Sequence, residues 1–209
     1  DETNLDLYLR GLARIADRKY DDASDVLEKL IKAEPHHAAG QFALGAVYQT
    51  TGRFTDAVER YQVAKALAKT DPRPAYNRGA LLVSLWRPRE AADDLTTAID
   101  RDPNMGEAYY QRATARNHLG EYEAALDDVE QAIRLGGVSY RYLALRQTVH
   151  CNQNDKATAA RDAAELAATP LRDEQDFVTR ANRAINPRVA AVTHKSRLAA
   201  LDDYRTATE

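Results

Sequence analysis

The stretch GEAYYQRATARNHLGEYEAALDDVEQAIRLGGVS, from Gly106 to Ser139, decides the fold. Its Tyr110, Ala113, Ala125 and Ala132 mark a pattern that returns when the chain is read outward in steps of 34 residues. Small residues recur at Ala23, Ala57, Ala91, Ala125 and Ala159. The register also holds for Gly11, Gly45, Gly79 and Ala113, for Tyr8, Phe42, Tyr76 and Tyr110, and for Leu30, Ala64, Ala98, Ala132 and Leu166. A period of this length marks a repeat architecture built from one supersecondary unit.

Within a unit the apolar residues follow helical spacing in two runs. Leu81, Leu82 and Leu85 form the first, and Ala91, Leu95, Ala98 and Ile99 the second. Gly52 and Gly120 suit a tight turn between the runs, because glycine tolerates positive φ; Pro35 and Pro103 suit the links to the next unit, because proline cannot continue a helix. Gly45, Gly79, Ala57, Ala91 and Ala125 lack bulk, so paired helices can approach closely enough for Tyr61 and Leu95 to fill the remaining space. One such hairpin cannot bury both of its apolar faces, and its stability must come from stacking on a neighbour. No strand is expected.

These residues carry a resemblance to the tetratricopeptide repeat family. Tyr109, Tyr110, Ala113, Gly120, Tyr122, Ala125, Ala132 and Gly137 stand at that family's consensus positions. The resemblance implies an all-α, right-handed α–α superhelix, or solenoid, of helical hairpins. Residues 4–173 would hold five consecutive 34-residue units, and residues 174–209 an irregular, truncated sixth unit or capping helices that break at Asn186-Pro187. Inward-facing positions carried over from the family define a concave face with Tyr8, Leu12, Phe42, Tyr76, Asn77, Tyr110, Gln111, Thr114, Asn117, His118 and Arg141 as expected partner contacts. Leu5, Leu9, Ile15, Ala43 and Ala46 make its N-terminal end apolar, whereas Thr148 and Asn152 extend the polar far end. The carboxylate clamp that a chaperone-binding subclass uses is missing: Phe42, Ala46, Glu107 and Gln111 stand where its lysine, asparagine, lysine and arginine belong.

A charge pattern emerges from comparing units. Arg78, Arg112, Arg146 and Arg180 each stand just before the repeat position that is small in most first helices, while Asp94, Asp128, Asp162 and Asp203 stand just before the position that is large in most second helices. The second unit has Leu44 and Arg60 instead, and the first has Arg10 with Val26. Arginine and aspartate thus occur together, which predicts a structural salt bridge between the two helices of each matching unit.

Composition excludes several functions. Of 209 residues, 29 are basic and 32 acidic, interspersed without a block of one sign, so nothing favours nucleic acid. No apolar run reaches the roughly 20 residues of a membrane-spanning helix, so no membrane insertion is expected. Cys151 is the single cysteine and cannot form an internal disulfide; the compartment is left open, with the cytoplasm slightly favoured over the periplasm. His118, His150 and Cys151 are the nearest approach to a catalytic cluster, but no helix terminus or basic group is placed to activate the thiol. His36 and His37 are expected to face solvent, and Asp93-Asp94, Asp127-Asp128 and Asp202-Asp203 diverge around their helices, so no metal or other cofactor is expected. The expected function is a non-catalytic scaffold that holds a protein or peptide on its concave face. The alternative is a regulatory or oligomerisation segment of a larger bacterial protein, such as a kinase or membrane-anchored protein. Its apolar N-terminal surface would then be covered by a preceding segment or by a second copy.

Overall fold

A computed structural model describes residues 3–171 together with Asp176 and Thr179. Among these, all regular structure is helical. Two compact units divide the chain after Pro103. The first contains three hairpins: α1 (Asn4–Ala16) with α2 (Tyr20–Ala33), α3 (Ala38–Thr50) with α4 (Phe54–Leu67), and α5 (Arg73–Ser84) with α6 (Pro88–Arg101). The second contains α7 (Gly106–Leu119) with α8 (Tyr122–Gly136), and α9 (Tyr140–Asn152) with α10 (Lys156–Ala168). The sixth repeat unit, including Arg180 and Asp203, lies outside the described residues apart from Asp176 and Thr179.

All five hairpins turn in the same way. The amide of Lys19, Arg53, Arg87, Glu121 or Asp155 donates back five residues, to the carbonyl of Arg14, Tyr48, Leu82, Arg116 or His150, at 2.8–2.9 Å. This long backward bond is the signature of a Schellman-type helix end, which requires a left-handed residue just before the donor. Glycine supplies it twice, at Gly52 and Gly120 (φ 79°). The other three turns force the same conformation on Arg18 (φ 58°), Trp86 (φ 56°) and Asn154 (φ 62°). Side-chain sterics disfavour that conformation by about 1–2 kcal/mol in a bulky residue. Two of these turns, at Arg18 and Trp86, are therefore held by hairpin packing against local preference, whereas asparagine at 154 adopts the left-handed region more readily.

Packing explains the small residues. The core of the first unit is built from fully enclosed Leu27, Leu30, Leu44, Val47, Tyr61, Leu82 and Leu95. A Cβ placed on Gly79 would lie 2.6 Å from Leu95 Cγ, and one on Gly11 would lie 2.6 Å from Leu27 Cδ2. In the second unit Ala113, Ala125, Val129, Leu145 and Val149 form one cluster, and Tyr140, Leu143, Ala144 and Leu166 form another.

Side chains satisfy amides at the starts of α1, α3 and α9. Thr3 and Asp6 form a reciprocal capping box on α1. His37, expected to face solvent, instead caps α3: its Nδ1 accepts from the Gly40 amide at 2.9 Å, and its ring lies 5.1 Å from that of Tyr8. An orphan N–H at a helix start needs an acceptor, and the residue preceding Ala38 provides it. Fully buried Asp176 acts similarly on α9, its Oδ1 accepting from Ser139 Oγ at 2.8 Å and from the Arg141 amide at 3.1 Å.

Candidate binding faces

Buried carboxylates fix how the two helices of a hairpin meet. Asp94 on α6 is 1% exposed and receives Arg78 Nη1 of α5 at 2.6 Å. Asp128 on α8 receives Arg112 of α7 twice, at 2.9 and 2.7 Å, and Asp162 on α10 receives Arg146 of α9 at 2.9 Å. Each carboxylate also faces a second basic residue that comparison of the units did not reveal: Lys65 for Asp94 at 2.6 Å, Arg116 for Asp128 at 2.8 Å, and His150 beside Asp162. Where the pattern lapses, Arg60 donates to Gln41 Oε1 at 3.3 Å, and Gln41 in turn donates to the Pro35 carbonyl at 2.8 Å.

In the first unit, the aromatic residues assigned to the inner face also hold neighbouring helices. Phe42 lies 5.7 Å from the Tyr61 ring and under the Arg73 guanidinium. The Tyr61 hydroxyl donates to Gln49 Oε1 at 2.8 Å and also meets the Asn77 side chain, and burial pushes it up to about 12. Tyr8 packs on His37, and Tyr76 is half-buried. Leu12 remains open on α1 with Leu5 and Leu9, at 37%, 62% and 54% exposure. Residues four and three apart share a helix face, so the three leucines form one apolar stripe. Ala43, expected at this face, belongs to the core.

The face of the second unit on which partner contacts are expected is polar and largely pre-ordered. Arg141 bonds Glu107 Oε2 at 2.8 Å and lies over the rings of Tyr110 and Tyr142, which are 5.3 Å apart. Burial pushes the Tyr110 phenol up to about 12. Gln111 Nε2 reaches Glu107 Oε1 at 3.4 Å, and Thr114 Oγ1 donates to the Tyr110 carbonyl at 3.0 Å. Asn117 is 9% exposed, and its Oδ1 accepts from Asn152 Nδ2 at 2.9 Å, so this amide joins α7 to α9. His118 stands at the rim, where partial desolvation holds its imidazole below the ordinary histidine range. Cys151 is exposed. Among the described residues no group of three or more histidines, cysteines and carboxylates is placed to hold a metal ion, and no helix is long and apolar enough to cross a membrane.

Comparisons agree with this architecture. The chain is 29% identical over 142 residues to the DnaJ homolog subfamily C member 7 homolog of Dictyostelium discoideum, a match covering 60% of this chain and 26% of that protein. It spans between 17% and 32% of the length of three curated relatives that it matches. The crystal structure of MamA superposes with a TM-score of 0.75 at 19% identity, covering 92% of this chain and 98% of that one. YrrB, a TPR protein with an unusual peptide-binding site, gives 0.71 at 15% identity over 96% and 93%. Identities this low show a shared fold alone. The family model of the tetratricopeptide repeat matches residues 8–72 and 76–139. With that match over more than half its length, the chain belongs to the tetratricopeptide repeat family, a family of protein-interaction modules.

Proposed function

We propose that this chain is a non-catalytic scaffold that binds an extended peptide or a partner segment through its first-helix faces. One observation carries the reading. Along α7, Gln111, Thr114 and His118 present amide, hydroxyl and imidazole groups on one face, framed by the pre-ordered Glu107–Arg141–Tyr110–Tyr142 cluster. Groups that both donate and accept suit the backbone of an extended chain, and a neutral imidazole at the rim adds another such group. Glu107 and Arg141 neutralise each other, so this face offers no surplus charge to grip a free terminal carboxylate. YrrB, similar in fold, has an unusual peptide-binding site. Selection of a phage-displayed random peptide library on the chain tests the proposal. Enrichment is expected on the native protein and loss of it on the Gln111→Ala/Thr114→Ala/His118→Ala variant. Equal enrichment on both would overturn the assignment.

The stripe of Leu5, Leu9 and Leu12 favours a second reading, in which this is a regulatory or oligomerisation segment of a larger bacterial protein that pairs through α1. Sedimentation measurements distinguish it: concentration-dependent dimerisation abolished by Leu9→Glu supports self-association, and a monomer at all concentrations removes it.

A further inference from the structure

The three carboxylates buried between paired helices are satisfied unequally. Asp94 has a cation on each oxygen, Lys65 at Oδ1 and Arg78 at Oδ2, both at 2.6 Å. Asp128 has Arg112 on both oxygens and Arg116 as a second donor to Oδ2 at 2.8 Å. Asp162, 4% exposed, has Arg146 on Oδ1 only, and its Oδ2 is buried with no hydrogen-bond partner. His150 Nε2 points to that orphan oxygen from 3.8 Å, and His150 stands one repeat, 34 residues, after Arg116. His150 Nδ1 is likewise buried without a partner. We propose that His150 is a proton-dependent substitute for the second cation, so that the α9–α10 hairpin is held more tightly when this imidazole carries a proton.

The groups gathered around this ring are mostly acidic. On α10, Asp162 faces the ring, Glu165 lies beside it on Arg146 at 2.6 Å, and Asp155 at the helix start interacts electrostatically with His150. On α8, Glu130 takes another Arg146 nitrogen at 3.0 Å, and Glu123 accepts from Gln153 at 2.9 Å. On α7, Arg116 is committed to Asp128, and on α9 Arg146 alone is shared among Asp162, Glu130 and Glu165. Three carboxylates thus gather on one guanidinium. A neutral imidazole can offer the buried Oδ2 only an uncharged donor, and only in its Nε2–H tautomer, whereas an imidazolium supplies a charge-assisted donor in either orientation of its protons, after a shift of less than one ångström.

Hydrogen exchange read by mass spectrometry on the full chain tests this. Protection of the α10 amides is measured relative to α2, corrected for intrinsic rates, at about pH 5.5 and about pH 8, an interval in which histidine changes charge. In the native protein α10 opening is expected to be about ten-fold rarer at the acid pH, the size of one charge-assisted hydrogen bond. His150→Gln should show no such ratio, and His150→Arg, which copies Arg116, should hold the acid level of protection at both pH values. A native ratio of one overturns the proposal, as does a His150→Gln variant that keeps the native ratio.

Discussion

Replacing Gly79 by alanine adds one methyl group at the tightest contact between α5 and α6. That Cβ would sit 2.6 Å from Leu95 Cγ, 3.1 Å from Leu95 Cδ2 and 3.3 Å from the Ala91 carbonyl oxygen. Real Cβ atoms do not approach another carbon to 2.6 Å, and Leu95 is fully enclosed, so either its rotamer or the helix spacing must give. Overpacking of this kind costs about 1–3 kcal/mol. Alanine returns about 0.5–1 kcal/mol through its better helix propensity. A net loss of about 1–2 kcal/mol remains, visible as a lower urea midpoint with unchanged slope. The chain indicates its own remedy. Where the fourth repeat has Ala113 in place of glycine, the facing position holds Val129, and both are fully buried in one cluster. Leu95→Val should therefore destabilise the native protein, yet stabilise Gly79→Ala. A double-mutant cycle should show a favourable coupling of about 1 kcal/mol or more. Additive losses, or a Gly79→Ala variant as stable as the native chain, would refute the argument that close approach dictates glycine here.

Trp86→Gly should stabilise the chain by up to about 1 kcal/mol by circular dichroism melting, because relief of the left-handed strain exceeds the added unfolded-state entropy. In a spectrophotometric titration, Tyr48, Tyr61 and Tyr110 should ionise only near 12, after the exposed phenols. Their folded values lie above the ordinary value of 10, so the stability they contribute is complete below about pH 10 and falls as pH rises toward 12. Asp176→Ala should cost about 1–3 kcal/mol and raise hydrogen exchange at the start of α9, since the Ser139 hydroxyl and Arg141 amide lose their acceptor. Reversing Arg112 and Asp128 singly should each be strongly destabilising, about 3–5 kcal/mol, with partial recovery in the double reversal, because Arg116 and its bond to Asp128 remain out of register.

The hairpins were legible because close helix approach restricts residue size, and that restriction repeats with the period. Gly11, Gly45, Gly79 and Ala113 could be read without knowing what faced them. The basic partners of the buried aspartates were half legible. Arg78, Arg112 and Arg146 sit at one repeat position, but Lys65 reaches Asp94 from the preceding hairpin, and Arg116 lies a helical turn beyond Arg112, so neither shares that position. The left-handed turns at Arg18, Trp86 and Asn154 could not be read from residue type, since two of the three residues oppose the conformation that the Schellman bonds impose. Asn117 and Asn152 were both assigned to the inner face, yet their mutual bond depends on the spacing of α7 and α9, which only the packed unit defines. Asp176 gave no signal at all, because its role depends on an amide 35 residues earlier.

On α7, neighbouring residues serve unrelated purposes. Arg112 and Arg116 are four apart and both reach Asp128, and Ala113 packs into the core. Gln111 precedes Arg112, and one residue along a helix rotates the side-chain direction by about 100 degrees, so Gln111 leaves the α8 contact while Thr114 and His118, three and seven residues on, follow it. The groups that hold the hairpin are thus charged and small, whereas those that would meet a partner are amide, hydroxyl and imidazole. Substitution at Gln111, Thr114 or His118 removes no atom from the buried carboxylate pair and none from the Ala113–Val129 contact. What a unit binds can therefore change while its hairpin geometry stays fixed, which is why the family's fold by itself leaves the partner open.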